Sequence, residues 1–321
     1  MTTIAAEKPA PPPGTDLWAG PSRFRSLREA AVTFFLLLCA TITVLTTAGI
    51  ILVLGVESFR FFRASGVSIP AFLFGTELRP DASPPRYGIL PLIWGTFVIA
   101  AGSSVIALPI GLLSAIYLSE YAPRRVRAVL KPVLELLAGI PSIVYGYLAL
   151  LLITPMLKAV FEPLGIGVEP FNVLSACIVV GIMIIPTVSS LSEDVLSAVP
   201  RSLREAGYGL GATKFEVSTR IVLPAGLSGV VASFILAVSR AIGETMAVVL
   251  AAGTSRQLRF NPLTSIETMT AYIVSVTGGE ASYGSPEFLS LFAVGLALFL
   301  ITLALNILSG IVLRRYREVY Q

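Results

Sequence analysis

Apolar residues fall into six long runs, at about 31–56, 89–118, 133–154, 173–192, 229–252 and 288–313, and the stretches between them hold nearly all the charge. A helix rises about 1.5 Å per residue, so some ~20 apolar residues cross a hydrocarbon core roughly 30 Å thick. Each run is long enough. The pattern predicts an all-α polytopic membrane protein with six transmembrane helices, divided into an N-terminal tail, 1–30, and a membrane domain, 31–321. The first run starts late and is followed by no small-residue cleavage pattern, so a removable signal peptide is not expected. In the tail, Pro9, Pro11, Pro12 and Pro13 predict disorder. Arg23, Arg25 and Arg28 alternate with Phe24 and Leu27, which predicts a short helix over 22–30 lying on the membrane surface.

Composition agrees with the pattern. Hydrophobic residues make up 55% of the chain and charged residues 13%, with a mean hydropathy of +0.84; a soluble domain carries about 25% charge. The net charge of +4 does not point to nucleic acid, because no basic stripe is interleaved with aromatics. Cys39 and Cys177 both sit in apolar runs, and there is no histidine. The commonest metal ligand and general base are therefore missing, and neither a metal, a cofactor nor catalysis by this chain is expected. Glu120, Glu193 and Asp194 read as solvated charge scattered at the ends of runs rather than as a catalytic cluster.

The cations set an orientation. Fifteen of the 23 Lys and Arg residues fall on the side that holds both termini, seven fall on the other, and Arg240 lies inside a run. The excess predicts that both termini are cytoplasmic. The opposite side then keeps loops at about 57–88, 155–172 and 253–287, polar enough to face water and a partner. No N-x-Ser/Thr acceptor occurs there, as suits a bacterial inner membrane.

The segment 199–224, between the fourth and fifth runs, carries the densest local signals. Ser202 with Glu205 and Thr213 with Glu216 both have capping-box spacing. Gly211 falls where a first helix should end in a left-handed cap. Two short helices with a sharp bend are predicted, lined by the small residues Ala206, Gly207, Gly209 and Gly211. Such a knob suits docking into a cleft on a soluble protein; an ordinary surface hairpin of helices would show the same spacing. Gly207, Gly209, Gly211 and Lys214 superficially match a phosphate-cradling loop, but no Gly-Lys-Ser/Thr step is present and no strand precedes them.

Glu205-Ala206-Gly207, Gly211 and Ile221-x-Leu223-Pro224 resemble the EAA signature of binding-protein-dependent importer permeases, with Gly207 where alanine is usual. The resemblance implies a type I ABC importer permease (MetI-like) fold. It also implies that Ser202, Glu205, Ala206, Gly207, Gly211, Thr213 and Lys214 form the coupling helix seated on an ATPase subunit, which hydrolyses the ATP.

In the fifth run Arg240 and Glu244 stand at i,i+4 spacing, which puts both charges on one face of a single helix near mid-membrane. Placing a charge there costs about 2.5–3.5 kcal/mol on the insertion scale. One reading is an intrahelical ion pair that locks the bundle. The other is an anion path, with the forked donors of Arg240 meeting phosphate oxygens and Glu244 tempering the charge. The segment Arg240-Ala-Ile-Gly-Glu-Thr245-Met-Ala-Val248 resembles the phosphate permease subunits of the PstC family. So do Tyr87 to Thr96 and Leu137 to Gly146, and the likeness extends over residues 87–250. It implies phosphate as cargo, a PstA-like partner permease, two PstB-like ATPase subunits, an external PstS-like binding protein and a lipid environment, with Arg240, Glu244 and Thr245 on the substrate path. A PstA-like role, another oxyanion or a secondary anion transporter are the alternatives. Pro141 is expected to kink the third helix, with Ser142 or a neighbouring helix re-satisfying the freed carbonyl, while Gly139 and Gly146 permit close helix contact.

Overall fold

The structure, a computed structural model, describes residues 23–279 and 281–315. The helices are α1 (Arg23–Ser65), α2 (Ile69–Phe74), α3 (Leu90–Ile116), α4 (Arg124–Ala138), α5 (Ser142–Leu148), α6 (Thr154–Phe161), α7 (Val173–Ala198), α8 (Arg201–Gly209), α9 (Lys214–Val217), α10 (Leu223–Ala225), α11 (Leu227–Ile242), α12 (Met246–Ala252), α13 (Met269–Gly278) and α14 (Pro286–Arg315). A two-stranded antiparallel hairpin pairs β1 (Leu78–Arg79) with β2 (Arg86–Tyr87), Leu78 facing Tyr87.

The chain divides into two units, Met1–Val53 and Leu54–Gln321. The first is represented by the N-terminal part of α1, whose side chains from Leu27 onward are exposed and predominantly apolar. Helix α1 starts at Arg23, so residues 23–30 open this helix instead of forming a separate surface element. Residues 1–22 of the expected tail lie outside the described residues.

Among the described residues, five uninterrupted helical stretches are long and apolar enough to cross a membrane: Leu27–Ser65, Leu90–Tyr121, Ser142–Leu164, Val173–Ala198 and Pro286–Ile311. A sixth is bent by 72° between Lys214–Ala225 and Leu227–Ile242. Two spans differ from the sequence pattern. The third was expected over 133–154 with a kink, but α4 stops at Ala138 and α5 starts afresh at Ser142. Gly139 weakens the helix, and Pro141, with ψ near 133°, leaves helical space and brings no N–H to continue the ladder. The fifth was expected as one helix over 229–252, but it breaks at 243–245.

In the second unit, α7 is central and packs most extensively on α3. The buried face of α3 runs through Thr96, Ala100, Ser103, Ala107, Gly111 and Ala115, small residues at three- and four-residue spacing. They let the two backbones approach closely; a Cβ on Gly111 would lie 2.7 Å from Val188 on α7. Towards the hairpin, a second core gathers Phe61, Phe72, Leu78, Tyr87, Met269 and Tyr272. Helix α13 belongs to it, so the expected polar loop at 253–287 contains a buried apolar helix. At the opposite end, Ala115, Leu196, Val199, Val217, Val222 and Val230 form a third core beneath the 199–224 segment.

Candidate functional site

The segment 199–224 folds as a knob. Helix α8 follows Pro200, whose ψ of 138° is extended, so Ser202 lies inside the first turn and caps nothing. The first expected capping box is therefore absent, because the proline starts the helix two residues too early for it. The second is complete: Glu216 N–H donates to Thr213 Oγ1 (3.3 Å) and Thr213 N–H to Glu216 Oε2 (2.9 Å).

Between the two helices Gly211 takes φ +82°. Ala212 N–H donates to the Gly207 carbonyl (3.1 Å) and Gly211 N–H to that of Tyr208 (3.0 Å). This 6→1 and 5→2 pair of bonds is the Schellman closure, which needs a left-handed residue at the position of Gly211. Gly207 faces inward: a Cβ there would be 2.5 Å from Ile221 Cδ1 and 3.1 Å from Val217 Cγ2. The missing methyl lets α8 sit on the following segment, which accounts for glycine where the signature has alanine. Glu205, Ala206, Thr213 and Lys214 are on or near the surface, Leu210 at the tip is 91% exposed, and Phe215 is exposed as well. Lys214 Nζ also stands 4.8 Å from the centre of the Tyr121 ring.

Of the three carboxylates expected to be solvated, Glu120 and Glu193 are buried in ion pairs, while Asp194 stays 57% exposed. Glu120 pairs with Arg204 (2.8 Å). Glu193 is fully buried and accepts from Lys131 (2.8 Å), Ser197 (2.8 Å) and Arg127. Lys131 reaches Asp194 as well. Burial alone would lower the Lys131 ammonium, but its hydrogen bonds to Asp194 and Glu193 and their charges outweigh that and raise it. Successive turns of α4, through Arg127 and Lys131, are thereby fixed to α7.

The second feature is the break in the fifth span. Arg240 lies in the last turn of α11, exposed, and Nη1 donates to Thr187 Oγ1 on α7 (3.1 Å). No ion pair joins it to Glu244, because the helix ends between them and the i,i+4 geometry is lost. Glu244 instead accepts the Ala247 N–H through Oε1 (3.1 Å), satisfying an orphan donor of the restarting α12. Its carbonyl accepts from Thr270 (2.8 Å). Thr245 turns its hydroxyl to the Gly243 carbonyl (3.2 Å).

Helices α5 and α12, each restarting after a break, pack on one another through Gly146, where a Cβ would lie 2.8 Å from Leu250 Cβ. Gly139 makes no such approach: a Cβ there would meet only carbonyls of its own turn. The carbonyl of Leu137, at the α4–α5 break, accepts from Ile140 N–H (3.3 Å) and from Tyr145 OH (2.9 Å), and not from Ser142. Thr187, Tyr145 and the Glu120–Arg204 pair were not foreseen from the sequence. The one signal available was that Arg204 directly precedes Glu205 of the motif.

Residues 107–318, which contain both features, match the family described as binding-protein-dependent transport system inner membrane component. The chain belongs to this family. The permease is therefore an inner-membrane component with several spans. It is 37% identical over 290 residues to the probable ABC transporter permease protein YqgH of Bacillus subtilis, covering 89% of this chain and 92% of that protein. It is 34% identical over 314 residues to the phosphate transport system permease protein PstC of Mesorhizobium japonicum, covering 91% and 94%. Among solved structures, it shares the fold of a chain of a bacterial ABC transporter involved in import of the acidic polysaccharide alginate. There the TM-score is 0.64 at 13% identity, over 92% of this chain and 99% of that one.

Proposed function

We propose that this chain is the PstC-like permease subunit of an ATP-driven importer of inorganic phosphate. In this reading it pairs with a PstA-like permease, and a PstS-like binding protein delivers phosphate from outside. Of two PstB-like ATPases, one docks on the 199–224 knob and the other on the partner permease, from the cytoplasm, where both termini lie. ATP closes the ATPases, the knobs move, and the permease pair alternates between outward- and inward-facing states because the ATPases bind the two states unequally.

One observation carries the phosphate reading. Arg240, which the sequence pattern puts in the fifth apolar run, has no carboxylate partner among the described residues and is held by one threonine hydroxyl. An unpaired guanidinium is costly against lipid and suits a water-lined path or a protein interface. Its fork of donors fits a tetrahedral oxyanion, and relatives matched over 91% and 88% of this chain are named as phosphate transport system permease proteins. A permease of the same class for another oxyanion is the second reading, since the relative YqgH is named only as a probable ABC transporter permease, with no cargo. The test is uptake of radiolabelled phosphate by proteoliposomes holding the complete complex and loaded binding protein, with sulfate and arsenate as competitors. Phosphate uptake that Arg240→Lys abolishes supports the proposal. Robust uptake of another oxyanion with none of phosphate would refute it in favour of the second reading.

A further inference from the structure

Arg204 lies on α8, and every nitrogen of its guanidinium is engaged by segments outside that helix. Nε and Nη2 donate to the Glu120 carboxylate (3.2 and 2.8 Å to Oε1). Nη2 also donates to the Leu196 carbonyl (2.8 Å) and Nη1 to that of Val199 (2.5 Å). Glu120 belongs to the five-residue wide turn, Tyr117–Tyr121, that closes α3. Leu196 lies in the last turn of α7 and Val199 just beyond it, where helical carbonyls lack intrahelical donors. One side chain thus joins the knob to the ends of the two helices that form the centre of the bundle. Both partners are desolvated, with side chains 16% and 5% exposed.

The knob's other attachments differ in kind. Gly207 packs on Ile221 and Val217, which continue into the fifth span. Lys214 touches the Tyr121 ring at the rim. Among the described residues, only Arg204 combines a forked ion pair to the turn that closes α3 with bonds to Leu196 in the last turn of α7 and to Val199 just beyond it, an arrangement a lysine ammonium cannot reproduce from one point. We propose that Arg204 is the joint through which movement of the knob is transmitted to the α3–α7 pair, with Glu120 as its socket. The inference rests on the reading of 199–224 as the ATPase-docking element, and it adds a transmission residue that does not itself touch the ATPase or the substrate.

The experiment uses the complete complex in proteoliposomes and reads phosphate imported per ATP hydrolysed, together with ATPase retained on purification and thermal stability. Arg204→Lys and Glu120→Gln should retain the ATPase and hydrolyse ATP, while phosphate imported per ATP falls by about tenfold or more, as loss of a charge-assisted bond implies. Glu120→Gln, which keeps an acceptor for the fork, should be the milder of the two and serves alone if Arg204→Lys fails to assemble. An unchanged ratio in assembled complexes, even with lowered stability, would show a merely structural joint and overturn the proposal. Leu210→Glu, at the exposed tip, separates the two readings: if it leaves ATPase retention intact, the docking assignment fails whatever Arg204 does.

Discussion

Arg240 donates to Thr187 across the α11–α7 contact, at 3.1 Å, and not to Glu244, four residues further on. The helix break at 243–245 separates two charges that a continuous helix would have paired, and it leaves each with its own hydrogen-bond partner. Arg240→Lys keeps the charge but not the fork. Phosphate uptake, normalised to assembled complex, should fall by about tenfold or more with no change in melting temperature. Uptake near the wild-type level would remove Arg240 from the path.

For Glu244 the expectation divides by chemistry. Glu244→Ala removes the acceptor of the Ala247 N–H, so the complex should lose about 1 kcal/mol of stability. Glu244→Gln retains that acceptor and should melt like wild type while transport falls, since only the charge near Arg240 is gone. Equal transport by the Glu244→Gln and wild-type complexes would reduce Glu244 to a cap.

The knob makes a conformational prediction. Gly211 holds φ +82° with no atom near enough to obstruct a side chain, so the penalty for substitution is backbone strain, roughly 1–2 kcal/mol for an ordinary residue. Gly211→Asn should be tolerated better than Gly211→Ala or Gly211→Leu, because asparagine enters left-handed space more readily. The measurement is ATPase stimulation by loaded binding protein. A leucine variant as active as the asparagine variant would show that the Schellman closure is dispensable.

Gly207 behaves differently. Alanine there gains about 1 kcal/mol of helix propensity but places its methyl 2.5 Å from Ile221 Cδ1. The obstruction is the far end of a flexible side chain, so the single variant should be nearly neutral. Ile221→Val removes that atom and leaves Val217 Cγ2, at 3.1 Å, as the remaining tight contact, and the two changes should couple favourably by about 0.5 kcal/mol or more in a double-mutant cycle. Strict additivity of melting shifts would place the two side chains apart.

Much of this was legible because membranes enforce a simple code. Runs of apolar residues marked the spans, Thr213 and Glu216 marked a helix start, and Gly211 marked a helix end, each a local rule read over a few residues. The breaks at 139–141 and 243–245 were not legible as breaks. Hydropathy does not see them, since apolar residues continue on both sides, and Pro141 alone permits either a kink or a stop. The pairs Glu120–Arg204 and Lys131–Glu193 join residues 84 and 62 positions apart, for which no periodicity exists. Their carboxylates therefore looked solvated until the ends of α3, α4 and α7 were seen together.

Orientation is open to direct labelling. Ser83 and Ser282 are exposed at the hairpin end and Ser202 at the knob. With Cys39 and Cys177 replaced by serine or alanine, cysteines at 83 and 282 should react with an impermeant thiol reagent on intact spheroplasts. One at 202 should react only after permeabilisation. The reverse pattern would overturn the charge-based topology and with it the docking of an ATPase on the knob.

The last prediction concerns Glu267, fully buried in the segment between α12 and α13. It accepts from Arg256 Nε (2.8 Å) and Ser275 Oγ (3.1 Å). Burial disfavours the carboxylate and raises its pKa above the ordinary 4.5, and the Arg256 guanidinium and the Ser275 hydroxyl pull the other way without cancelling it. The folded chain therefore holds this proton to a higher pH than the unfolded chain does. The stability it confers is complete below the unfolded value and is lost as pH rises through the folded one. Glu267→Gln keeps an acceptor for Arg256 and Ser275 but cannot ionise, so it escapes that loss. Melting of wild type and variant in detergent should be compared between about pH 4.5 and 7. The difference should move in favour of the variant as pH rises, whatever slope the other carboxylates impose on both. A difference that stays flat, or moves the other way, would show that Arg256 fully stabilises the charged form.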